Sequence, residues 1–102
     1  MANYIQLTNV TGLNNTSVLI SVADIRLLYR NSTSEVNIFY GSPTNQNLRI
    51  TFSQADTTYS LHAWFIGQIS YAIDYSLSEI YVVPSPPDVS STQVFFSNIT
   101  LV

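Results

Sequence analysis

A chain of 102 residues supports one domain, because a split would leave two pieces too small to bury a useful core. Only 9% of its residues are charged, far below the usual share, and lysine is absent: Arg26, Arg30 and Arg49 face six carboxylates, for a net charge of -3. That balance argues against non-specific nucleic-acid binding, the lack of cysteine excludes disulfides and thiolate chemistry, and no apolar run approaches the ~20 residues of a membrane span.

The chain opens MANYIQLTNVTG, with no basic stretch followed by an apolar run, so no signal peptide is expected and the protein is assigned to the cytoplasm or a virion. Sequons begin at Asn9, Asn14, Asn15, Asn31 and Asn98, which a composition rich in Asn, Ser and Thr produces by chance. Tyr4-Ile5-Gln6-Leu7-Thr8 alternates with period two and predicts a strand with Ile5 and Leu7 inward. Gly12, Asn14 and Asn15 then supply a turn. Val18 to Val22 and Ile25 to Tyr29 predict two more strands with a bend at Ala23-Asp24, and Asn31 to Ser34 reads as a polar turn.

The clearest hairpin pairs Val36–Tyr40 with Leu48–Phe52 across a loop at residues 41–47, which is too long for the turn alone to fix the register. Val36, Ile38 and Tyr40 should share a face with Leu48, Ile50 and Phe52, leaving Asn37, Phe39, Arg49 and Thr51 on the other. The period then changes. Ser53-Gln54-Ala55-Asp56 fits a capping box, and Leu61, Phe65, Ile69 and Ala72 recur at helical spacing, predicting one helix over about 54–73. Gly67 should cost that helix about 1 kcal/mol, which suggests that something packs closely against it. Ile80 to Val83 predicts a strand, residues 84–92 form a proline-rich connector, and the uncharged tail TQVFFSNITLV must pair with the sheet, another chain or an assembly.

No constellation of catalytic, cofactor-binding or metal-ligating residues emerges. His62 has no carboxylate at a same-face helical spacing, and its place beside the Leu61/Phe65 stripe suits a boundary residue with a wet ring. Substitution of His62 by alanine should therefore be mild, whereas Phe65→Asp should unfold the domain. Asp74-x-Ser76-x-Ser78-Glu79 resembles the start of a calcium loop but lacks the sharp-turn glycine and the distal glutamate. No glycine-rich phosphate loop exists among Gly12, Gly41 and Gly67. Phe39 beside Arg49 could stack a nucleobase, and a subunit contact is the plainer reading.

If the predicted inward residues face the core, the opposite face carries Tyr4, Leu19, Leu28, Phe39 and Arg49. Apolar outward positions on so small a sheet predict a second buried surface, closed by a homo-oligomer, with Arg26 and Arg30 available for rim pairs. Ile5-x-Leu7-Thr8, Gly12, Val18-x-Ile20, Ile25 and the hairpin ending Leu48-x-Ile50-x-x-Ser53 before a helix resemble the short FlbD-like proteins of flagellar and phage genomes, over residues 4–69. The resemblance implies a small sheet-plus-helix module with a structural or assembly role and no catalytic residues to carry over. The loop at 41–47 and everything from Asp74 onward depart from it.

The sequence thus predicts a single β-rich α+β domain. In it a bent antiparallel sheet or small, Sm-like barrel of five to seven strands is covered by one helix. The expected function is a non-enzymatic structural or assembly subunit, of phage or viral type, acting as a homo-oligomer without cofactor. The alternative is a module binding a peptide, glycan or single-stranded nucleic acid on the outer sheet face.

Overall fold

The computed structural model describes residues 1–25, 27–39 and 47–101, with the backbone alone at Leu27. Arg26, Tyr40, residues 41–46 of the hairpin loop and Val102 lie outside the described residues, while Asn47 belongs to the return strand. Among the described residues there are seven strands and one α-helix: β1 (Tyr4–Val10), β2 (Thr16–Ser21), β3 (Leu27–Ser32), β4 (Glu35–Phe39), β5 (Asn47–Phe52), α1 (Ser60–Asp74), β6 (Ile80–Val83) and β7 (Phe96–Leu101).

The strands form two sheets, ordered β2-β1-β6 and β3-β4-β5-β7, and their hydrogen bonding does not close them into a barrel. The first sheet is mixed, because β6 returns beside β1 in parallel, with Tyr4 opposite Ile80 and Leu7 opposite Val83. A purely antiparallel sheet is therefore corrected. The connection between this parallel pair runs through β2, β3, β4, β5 and then α1, which reading the sequence as a string of hairpins could not anticipate.

The predicted hairpin is present. Val36 pairs with Ile50 and Ile38 with Leu48, so the alternating apolar residues all turn to one side. The uncharged tail joins this sheet as β7, with Ile99 opposite Ile50 and Phe96 opposite Phe52. Gly12, in a short 3-10 turn after β1, lies against the Ser97 carbonyl of β7, where a side chain would collide with backbone.

The helix starts six residues later than the capping-box reading places it. Ser53 does not cap it: its backbone N–H donates to the Phe95 carbonyl and its Oγ accepts from the Phe95 N–H, at 2.9 and 2.8 Å. Asp56 serves the helix instead. Its Oδ2 accepts from the Leu61 N–H at 2.9 Å, satisfying one of the orphan donors of the first turn. Its Oδ1 accepts from the Thr58 hydroxyl and N–H, and these bonds, with the Thr58 hydroxyl foremost, hold its carboxyl below the usual range. Leu61, Phe65, Ile69 and Ala72 are buried as the spacing predicts, and each large side chain so covered stabilises by roughly 1.5–3 kcal/mol. Phe65 meets Phe52 of β5 and Phe96 of β7 edge-on, with centroids about 6 Å apart. Gln68 accepts a hydrogen bond from the Tyr81 hydroxyl of β6. One helix thereby packs against both sheets. Gly67 faces open space, so no close neighbour explains it.

Candidate functional site

The five outward candidates do not share one face. Tyr4 and Leu19 belong to the first sheet, while Leu28, Phe39 and Arg49 belong to the second. Leu28 is a correction: it stands opposite Ile38, on the inward side, and packs partly buried against the core. The register, which the sequence leaves open at the start of β3, decides this.

On the outer side of the second sheet, Phe39 is half-buried and Arg49 is already engaged. Arg49 Nε donates to Asn37 Oδ1 at 3.2 Å and lies 4.0 Å from a Glu35 carboxylate oxygen. Asn37 in turn donates to the Tyr29 hydroxyl at 3.1 Å and is itself 3% exposed. Glu35 also accepts from Asn31 and Ser32. The polar groups of this face are joined in one hydrogen-bonded layer, in which Arg49 is held by its Nε.

The outer side of the first sheet has the opposite character. Tyr4 stands beside Ile80, and Gln6 lies between Leu19 and Val82, so the alternation places all of them outward. Tyr4, Leu19, Ile80 and Val82 are 40%, 52%, 40% and 51% exposed. Neither edge strand, β2 (TSVLIS) nor β6 (IYVV), carries a charge. The sequence marks Tyr4 and Leu19. Ile80 and Val82 are missed, because only the parallel pairing with β1 brings them onto that face.

His62 is not a boundary residue. It is 1% exposed, and its Nε2 donates to the Ser32 carbonyl at 2.8 Å, which fixes the proton on Nε2 since a carbonyl can only accept. Its Nδ1 is buried without a partner. The Phe52 and Tyr59 rings close on it edge-first, and the Arg30 guanidinium covers Tyr59 at 4.3 Å from the ring centroid. Arg30 therefore lies on the outer side of the ring that packs against the histidine. Tyr59 holds a left-handed backbone, φ 58°, an uncommon conformation for a bulky residue, which its N–H bond to the Asp56 carbonyl helps to maintain. Trp64 is half-buried and stacks on Phe96.

A separate cleft lies at the end of β1. About 490 Å³ of open cleft is lined by Thr8, Asn9, Thr11, Asn15, Ser85, Pro86 and the run Gln93–Phe96. Among the described residues no His, Asp and Glu side chains gather as a metal site would require, and no helix is long and apolar enough to cross a membrane. Comparison of the chain with protein-family models, curated proteins and solved structures finds no match.

Proposed function

We propose that the protein is a non-enzymatic structural subunit that assembles with copies of itself through the outer face of the β2-β1-β6 sheet. The observation that carries this reading is the exposed apolar set Tyr4, Leu19, Ile80 and Val82, grouped around Gln6 on a sheet whose two edge strands bear no charge. Monomeric proteins blunt sheet edges with charges or prolines, and neither is present within these strands. Four such side chains expose a few hundred Å², short of the roughly 800 Å² that each partner contributes to a stable interface. Pairing at β2 or β6 supplies the remainder, so the assembly uses edge and face together. A sealed His62 whose Nε2 proton is held by a backbone carbonyl favours a structural role over an enzymatic one. The FlbD-like spacing favours an assembly module of phage or flagellar type.

Light scattering and sedimentation from low to high micromolar concentration test the proposal, on wild type, Leu19→Asp/Val82→Asp and Phe39→Asp. The expected result is an oligomer in wild type and in Phe39→Asp, and a folded monomer in the double variant. A monomeric wild type, or an oligomer that Phe39→Asp alone breaks, overturns it.

A further inference from the structure

We infer that the cleft between the end of β1 and the segment leading into β7 is a binding site for a neutral saccharide. The inference stands apart from self-assembly, since the cleft shares no residue with the apolar face. Six of its lining residues, Thr8, Asn9, Thr11, Asn15, Ser85 and Gln93, carry uncharged polar side chains, and no charged residue lines it. None of those six side chains is hydrogen-bonded within the protein, so their capacity is unspent. Amides and hydroxyls both donate and accept, as sugar hydroxyls do. An ionic ligand would find no counter-charge here, and an apolar one would strip water from the amides without replacing its bonds.

The volume, about 490 Å³, is that of a small-molecule site and suits one or two sugar rings. Phe95 adds an apolar surface. It is 43% exposed, yet its backbone is fixed on both sides by Ser53, at 2.8 and 2.9 Å. Its neighbour Phe96 is buried against Phe52, Phe65 and Trp64. An exposed aromatic ring on a fixed backbone, set among free amides, offers its face to sugar C–H groups.

The polar side is also pre-set. The β1–β2 register slips between Leu7 and Val10, and Asn9 there adopts φ 53°. Asn15 adopts φ 58° and its N–H is tied to the Val10 carbonyl at 3.1 Å. A bulge of this kind re-aims side chains beside binding sites. β1 cannot accept an added peptide strand, because it is already paired on both sides, by β2 and β6, and the tri-alanine control below tests peptide binding along β7.

Amide chemical-shift mapping tests the site on the full chain, with maltotriose, cellotriose and chitotriose as probes. Sialyllactose and tri-alanine serve as the charged and peptide controls. Each is taken to about 20 mM, enough to populate a complex of millimolar Kd. The expected result is saturable shifts confined to residues 8–15, 85–86 and 93–96 with at least one neutral trisaccharide. Phe95→Ala should weaken that binding about tenfold and Gln93→Ala about fivefold, with unchanged circular dichroism. Gln93 is the polar site to replace, because Asn9 and Asn15 hold backbone that alanine would strain. No cleft shifts with any of the three neutral probes, shifts that survive both substitutions, or equal binding of sialyllactose or tri-alanine overturns the inference.

Discussion

The two described glycines should respond in opposite directions to alanine. Gly67 is exposed in the middle of α1, and a Cβ added there meets nothing within 4 Å. Only backbone entropy distinguishes the two residues at such a position, so Gly67→Ala should stabilise by about 0.8–1 kcal/mol. For a domain of this size that raises the thermal midpoint by about 4 °C. Gly12 is the reverse case. An added Cβ would overlap the Ser97 carbonyl oxygen and stand 3.3 Å from Asn98 Oδ1. The obstructing atom is backbone, and β7 is held in place by its pairing with β5, so it cannot rotate away. Overpacking of this kind costs about 1–3 kcal/mol. Urea unfolding of wild type and both variants, fitted with a common slope, reads the two signs directly. An unchanged or lowered midpoint for Gly67→Ala would mean that α1 has a close neighbour on its exposed side. A Gly12→Ala variant as stable as wild type would refute the contact between the turn and β7.

His62→Ala should cost about 2–3 kcal/mol, through a cavity between Phe52 and Tyr59 and an unpaired Ser32 carbonyl, read as a lower urea midpoint. The Asp56 carboxyl is held below its ordinary value, so the stability it contributes is present above about pH 4, the unfolded value, and is lost as pH falls through the lower folded value. Asp56→Asn should therefore be less stable at neutral pH and show a shallower acid limb when unfolding is followed down to pH 2. Ser90 and Ser91 link the Val89–Thr92 bridge with φ 49° and 63°, the signs of a tight turn that prefers Asn-Gly, so S90N/S91G should gain about 1 kcal/mol in thermal unfolding.

Much of the fold is legible in the residues. Ile5 and Leu7, Val36 and Ile38, and Leu48, Ile50 and Phe52 declare their buried face by period two, and the hairpin register follows because a one-residue slip would expose every one of them. Leu61, Phe65, Ile69 and Ala72 declare the helix stripe by the same logic at a longer period. The start of that helix is not legible from Ser53, whose hydrogen bonds are spent on Phe95, a residue 42 positions away. His62 is equally opaque: its burial depends on Ser32 and Phe52, which lie outside the helix and so off its helical wheel, closing around it together with Tyr59.

The candidate sites divide along the same line. Tyr4 and Leu19 are identifiable as outward apolar residues from alternation within their own strands. That Ile80 and Val82 extend their patch, that Leu28 turns inward, and that Thr8, Asn9, Gln93 and Phe95 meet in one cleft are decided by pairings between distant segments. Local periodicity is written into the chain because each residue carries its own hydrophobicity and backbone preference. Which strands become neighbours depends on how the apolar faces jointly bury their area, and that sum exists only in the folded molecule.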